Sequence, residues 1–185
     1  MNGDALSDLV LSLVCLLLFA LHRRGRPGLA FSCAALGITA AFGVAKLVGV
    51  AQAAGPHRFL VLLTSCVGLP LLADSVTFPD GEPARTRRGA ALFLFMGTML
   101  AVLLVVVLNL KFLLQLLPAL SVLVLLIATL RDRRPLPILG AALFAATFAV
   151  LLAKVSLHGL SDAQVLHYGM AAAMLLIVGI RPRRT

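Results

Sequence analysis

Long apolar runs alternate along this chain with short segments rich in arginine, proline and glycine. The runs cover residues 5–21, 29–51, 58–78, 90–110, 112–130, 136–157 and 163–180. Each is close to the roughly 20 residues that an α-helix needs to cross a bilayer. The breaks carry turn signals such as Arg26-Pro27-Gly28, Gly55-Pro56 and Arg134-Pro135. The pattern predicts an all-α fold, an integral membrane bundle of seven transmembrane helices in a single domain over residues 1–185.

Arginines are concentrated in every second polar segment. Twelve of the 16 Lys and Arg residues form four clusters, namely Arg23/Arg24/Arg26, Arg85/Arg87/Arg88, Arg131/Arg133/Arg134 and Arg181/Arg183/Arg184. Short arginine-rich loops stay on the cytoplasmic side of a membrane. We therefore expect the N-terminus outside, the C-terminus inside, and a multi-pass protein of the bacterial inner membrane. Residues 1–8 carry no base, unlike the start of a signal peptide, so we expect the first run to persist as a helix.

The composition excludes an ordinary soluble domain. The chain is 61% hydrophobic and 12% charged, against about 45–50% and 25% in soluble proteins. Its net charge of +9 is spread over four segments rather than gathered on one face, so we expect no nucleic-acid partner. Cys15, Cys33 and Cys66 lie inside apolar runs and should pack as small apolar residues. No cofactor is predicted.

Two helices carry small residues at four-residue spacing, and we expect both stripes to face protein. They are Gly37, Ala41, Ala45 and Gly49 in the second run and Ala141, Ala145, Ala149 and Ala153 in the sixth. Both helices also carry a lysine toward the outer end, Lys46 and Lys154. Helices 1–3 and 5–7 would then form a 3+1+3 arrangement around a lipid-facing helix 4, aligned with two inserted residues. Chance similarity between alanine-rich helices is the alternative.

Five polar residues from five different helices share a similar outer depth and form the candidate ligand-binding site. They are Asp8, Lys46, Gln115, Lys154 and His167. Two lysines, one histidine and a single carboxylate favour an anionic ligand, either a small solute or a lipid head group. Pro118 should open space beside Gln115 by interrupting the helix ladder. The alternative is that the lysines snorkel and that all five face lipid or water.

Two further sets of polar residues lie in or beside the apolar runs. His57, His158 and His167 lie at the outer level but form no HxxxH or HxxE pair, so no metal site is predicted. Asp74 lies toward the inside, four residues after Pro70, which should kink its helix. We expect its carboxylate to contact an arginine of the cluster Arg85/Arg87/Arg88.

The sequence contains no base–nucleophile pair, so no catalytic residue is assigned. It predicts an integral membrane protein of undetermined, non-enzymatic activity, with a carrier or binder of small anions and an intramembrane metal-dependent hydrolase as alternatives. The strings Ala5-Leu6-Ser7-Asp8-Leu9 and His167-Tyr168 flank a Gly/Ala-rich second helix. In these features the chain resembles an uncharacterised family of small bacterial multi-pass, seven-helix membrane proteins. That resemblance implies a lipid-bilayer environment and no particular activity or oligomeric state.

Overall fold

The computed structural model describes residues 3–154 and 159–179. Seven long helices follow one another there: α1 (Gly3–His22), α2 (Pro27–Leu47), α3 (Ala51–Thr77), α4 (Arg87–Val107), α5 (Leu113–Asp132), α6 (Pro135–Ala153) and α7 (Asp162–Val178). A single helical turn, Glu82–Arg85, precedes α4. The first six helices, α1 to α6, are long and apolar enough to cross a membrane, and α7 is a shorter apolar helix. The chain is therefore an all-helical protein compatible with a multi-pass membrane bundle.

Most helix boundaries fall within a few residues of those predicted, but α2 and α3 differ. The predicted break at Gly55-Pro56 was wrong, because both residues lie in the first turns of α3. The N–H groups of a first turn have no partner within the helix, so proline costs little there. The second helix ends at Leu47, and Gly49 follows with φ 93°. The predicted end of helix 6, at 157, lies outside the described residues.

Two of the described helices contain π-helical turns, and the one in α3 has an identifiable cause. In α3 the π segment Thr64–Gly68 lies directly before Pro70. Since proline has no N–H to donate, the helix ladder is adjusted just ahead of it, where the kink was expected. In α4 the π segment Val102–Val107 is followed by Asn109 with φ 57°. That left-handed residue ends α4 and separates it from α5, as the sequence predicted.

Six of the helices form a closed ring. Going round it, α1 contacts α2, α2 contacts α3, α3 contacts α5, α5 contacts α6, α6 contacts α7, and α7 returns to α1. One large core cluster joins all six, with Leu18, Cys33, Leu72, Phe144 and Met174 among its members. In this order α2 and α6 lie on opposite sides of the ring. Residues at equivalent depths on those two helices therefore approach the centre from opposite directions.

The fourth helix lies outside the ring. A second, smaller apolar cluster joins Val105 of α4 to Leu62 and Val67 of α3, and Gly97 lets α4 approach the Val67 side chain closely. The remaining face exposes large apolar residues: Leu92, Phe95, Met96, Met99, Leu100, Leu103, Val106 and Val107. A surface of this kind is suited to lipid, where apolar side chains need no protein cover.

The predicted small-residue stripes were wrong at half of their positions. Ala41, Ala149 and Ala153 are exposed, and Gly49 lies beyond α2. The reason is geometric: with 3.6 residues per turn, a strict four-residue spacing rotates by about 40° per step and leaves the buried face. Close approaches between helices occur at Gly37, the one stripe residue of α2 that packs against α1, and outside the stripes at Gly43 of α2 against α1, at Gly140 of α6 against α7, and at Gly169 of α7 against α6.

Candidate functional site: a polar cavity at one end of the bundle

A cavity of about 740 Å³ lies where α1, α3, α5 and α7 begin and where α2 and α6 end. We call it the lysine pocket. Its charged and strongly polar wall residues are Asp8, Lys46, His57, Gln115, Lys154, Asp162 and His167. All five residues of the predicted site are among them, each from a different helix or helix end. Their role in binding a ligand stays a prediction, but the structure places them around one space.

A buried carboxylate–imidazole pair connects α1 to α7 at this pocket. The Nδ1 atom of His167 lies 2.9 Å from Asp8 Oδ1. A carboxylate only accepts hydrogen bonds, so the imidazole Nδ1–H is the donor. The second oxygen of Asp8 packs against the α-carbon of Gly43, in space that any side chain there would fill. Asp8 is only 6% exposed and is therefore held by α2 and α7 together.

A second polar contact fixes the start of α7 against the start of α1. Asp4 Oδ1 accepts hydrogen bonds from Ser161 Oγ at 2.9 Å and from Gln164 Nε2 at 2.8 Å. Ser161 and Gln164 also form the capping box of α7. One helical turn further on, Asp8 and His167 face each other. The Asp4 contact therefore sets the register in which the deeper pair can form.

The two lysines have a different environment from the two carboxylates. Lys46 lies in the last turn of α2, and Lys154 follows α6 with φ 51°; both are exposed. Within the described residues neither ammonium group has an ion-pair partner. Of the pocket carboxylates, Asp8 is bound by His167, and Asp162 Oδ1 accepts from the N–H of Ala163 at 2.9 Å. Among the described residues, the ammonium groups are thus the charged groups of this pocket that have no hydrogen-bond or ion-pair partner.

Below its polar rim the lysine pocket is apolar. Its deeper wall includes Leu36, Leu69, Phe144, Phe148 and Met170. Closer to the rim, Thr39 and Thr64 share a hydrogen bond of 2.6 Å between their hydroxyl oxygens, which satisfies both groups locally. A cavity with a few polar groups over an apolar wall, at a volume of several hundred Å³, is typical of small-molecule sites.

The polar groups do not form a nucleophilic triad. In such triads the carboxylate and the nucleophile contact opposite nitrogens of the imidazole ring. Here Asp8 and Ser7 both face Nδ1 of His167, with Ser7 Oγ at 3.4 Å, and that hydroxyl donates to the carbonyl of Asp4. Among the described residues no three His, Cys, Asp or Glu side chains gather as a metal-binding group. His158, one of the three outer histidines, lies outside the described residues.

Sequence reasoning missed some wall residues and misjudged one carboxylate. His57 and Asp162 belong to the same outer level as the predicted five, so the depth argument could have included them. No sequence signal singled out Gly43 as the partner of Asp8. The expected contact of Asp74 with the cluster Arg85/Arg87/Arg88 was wrong: within the described chain, its Oδ2 is buried and has no hydrogen-bond partner.

Comparison with protein-family models, with curated proteins and with solved structures finds no match to this chain.

Proposed function

We propose that this chain is a seven-helix protein of the bacterial inner membrane, non-enzymatic, with its N-terminus outside and a 3+1+3 arrangement. The support for the orientation is the segregation of charge between the two ends of the bundle. Arg26, Arg131 and Arg134 lie at the end opposite the lysine pocket, and arginine-rich loops stay cytoplasmic. A reporter fused after residue 185 should be active only in the cytoplasm. Activity of the same fusion on the outer side would reverse the orientation.

We further propose that the lysine pocket binds a small anion that carries an apolar portion. The observation that supports this is which charged groups of the pocket already have hydrogen-bond partners. The pocket has two lysines and two carboxylates, so its net charge does not favour a ligand of either sign. The carboxylates already have donors, whereas Lys46 and Lys154 lack acceptors within the described chain. A carboxylate or phosphate entering from the outside would accept from both, and its apolar part would lie against Phe144 and Phe148.

The position of the two lysines in the ring supports joint binding. Lys46 ends α2 and Lys154 follows α6, and these two helices are opposite each other. A head group between them would receive a charge-assisted hydrogen bond from each side. Gln115 lies on the same wall and adds a neutral amide donor. An isolated snorkelling lysine would need no such arrangement.

The test uses a short-chain anionic lipid, dihexanoyl phosphatidic acid, with dihexanoyl phosphatidylcholine as the neutral comparison, added to protein in a neutral detergent. A ligand that binds only the folded state, present at about 100 times its Kd, stabilises by about 2.7 kcal/mol. We expect the anionic lipid to raise the Tm. Lys46→Gln and Lys154→Gln should each weaken binding about tenfold, the equivalent of one charge-assisted contact.

Lys111→Gln is the matched control, because Lys111 is exposed between α4 and α5 and does not line the pocket. It should bind as the native chain does. The proposal fails if the neutral lipid raises the Tm equally, if Lys111→Gln weakens binding as much as the pocket variants, or if the pocket variants bind normally.

A further inference from the structure

A second cavity, of about 520 Å³, lies at the opposite end of the bundle and holds charged residues of mostly one sign. Its charged wall residues are Arg26, Arg131, Asp132 and Arg134. We call this cavity the arginine pocket. It is formed where α3, α5 and α7 end and where α6 begins, with Arg26 joining from the turn before α2. Three guanidinium groups and one carboxylate leave a clear positive excess.

The carboxylate does not neutralise the whole group. Asp132 forms an ion pair with Arg134 at 2.9 Å, and both side chains are nearly half exposed. Arg26 is more enclosed: burial, and then the nearby guanidinium of Arg134, lower the pKa of Arg26. Two cations near each other in a partly buried site repel, unless an anion lies between them. The pocket therefore has the electrostatics of an anion site.

Arg26 and Arg134 occupy equivalent places in the two halves of the fold. Each is the N-cap residue of its helix, α2 or α6, and each is followed directly by a proline at the first helical position. A residue before proline is kept out of the α-region, and both arginines have such backbone angles, with ψ 70° and 128°. Both side chains therefore leave from the residue directly before the start of a helix, and the two helices lie opposite each other.

The sequence repeats this correspondence without insertions. Arg23, Arg26 and Pro27 precede Lys46 at the same spacings at which Arg131, Arg134 and Pro135 precede Lys154. The two-residue insertion in the predicted alignment is thus unnecessary in this register. The same alignment of the two halves matches Arg26 with Arg134 at one end of the bundle and Lys46 with Lys154 at the other. Each pocket therefore contains one matched pair of basic residues.

From this arrangement we propose that the arginine pocket binds a phosphate group, held by Arg26 and Arg134. A guanidinium group presents paired N–H donors that match two phosphate oxygens, which makes arginine well suited to this ligand. The phosphate can belong to an anionic phospholipid of the adjacent leaflet or to a free phosphate ion. Basic pockets between transmembrane helices on the cytoplasmic side are suited to lipid head groups. Apolar wall residues Val76, Leu136 and Leu176 offer the acyl chains of a phospholipid an apolar surface.

The experiment measures two sources of phosphate separately. Protein in phosphatidylcholine nanodiscs is titrated with inorganic phosphate, with chloride holding the ionic strength constant, and the Tm is followed. In parallel, protein is placed in bilayers of phosphatidylcholine mixed with phosphatidylglycerol, and retained phosphatidylglycerol is counted by native mass spectrometry. Binding in both arms indicates a general phosphate site, and binding in the second arm alone indicates a lipid site.

Variants locate the site. Arg26→Gln should weaken phosphate binding, or reduce phosphatidylglycerol retention, about tenfold, and Arg26→Lys should recover part of it because the charge remains without the paired donors. Arg134→Gln should act similarly. Arg88→Gln is the control, an exposed arginine outside the pocket, and should bind as the native chain. Because the lysine pocket can also accept phosphate, the arginine pocket is assigned only the binding that Arg26→Gln weakens and Lys46→Gln leaves in place, which separates this proposal from that for the lysine pocket.

Three outcomes would overturn the proposal. The first is that neither phosphate source binds. The second is that Arg26→Gln binds as the native chain does. The third is that Arg88→Gln loses as much binding as Arg26→Gln, which would reduce the effect to general surface charge. Since Arg26 has no ion-pair partner among the described residues, its removal breaks no such pair, and the variant should remain folded.

Discussion

Gly43→Ala should destabilise the protein because of one neighbour, the Asp8 carboxylate. A Cβ atom at this position would lie 2.9 Å from Asp8 Cγ and closer still to Oδ2. Carbon atoms in contact prefer about 3.5–4.0 Å, so the carboxylate would have to move by about half to one ångström. That movement draws Asp8 away from His167, which it contacts at 2.9 Å. Overpacking of this kind costs about 1–3 kcal/mol.

The cause can be isolated with a double-mutant cycle. In an Asp8→Ala background the obstructing carboxylate is absent, so Gly43→Ala should cost nothing. It should even stabilise by up to about 1 kcal/mol, because alanine favours a helix over glycine. The coupling energy between the two sites should therefore be at least about 1 kcal/mol, measured by reversible unfolding in mixed micelles of neutral detergent and dodecyl sulfate.

Gly37→Ala is the matched control on the same helix pair. A Cβ there would meet Leu16 Cγ at 3.1 Å and Cys15 Cβ at 3.2 Å, away from Asp8. Its effect should be the same with and without Asp8, to within about 0.5 kcal/mol. If Gly43→Ala instead has the same cost in both backgrounds, the account of Gly43 as the space that holds the Asp8 carboxylate is wrong.

Two further changes probe the same end of the bundle. Asp4→Ala removes the acceptor of Ser161 and Gln164 and should lower the free energy of unfolding by about 1–2 kcal/mol. This is at the lower end for charged hydrogen bonds because Asp4 is partly exposed. Asp80→Ala, in an exposed loop, should have no effect, and an equal loss in both variants would contradict the importance of the Asp4 contact. Lys154→Gly should raise the free energy of unfolding by about 1 kcal/mol, because Lys154 has φ 51° and glycine adopts that conformation without cost. The same variant should weaken anion binding, and Lys154→Gln should weaken binding without raising the free energy of unfolding. Unchanged binding in both variants would show that Lys154 is not part of the site.

The level of a residue along the bundle could be predicted from this sequence, whereas rotation about each helix axis could not. The spacing of apolar runs and arginine clusters indicates at which level along the bundle each polar residue lies. On that basis Asp8, Gln115 and Lys154 were placed correctly at one end. Which side of its helix a residue faces depends on packing between particular side chains. The stripe through Ala41 and the contact expected for Asp74 failed for that reason, since both needed a rotation that spacing alone does not determine.

The layer between the two pockets bears on whether the chain would carry the proposed anion or only bind it. Leu72, Leu125 and Met174 are fully buried. Along each of their helices they lie between residues of the lysine pocket and residues of the arginine pocket, as Leu72 does between Leu69 and Val76. An anion moving between the pockets would have to displace these side chains, each of which gains about 1.5–3 kcal/mol from burial. Two separate sites, each serving its own side of the membrane, require no such opening, and this favours a binder over a carrier.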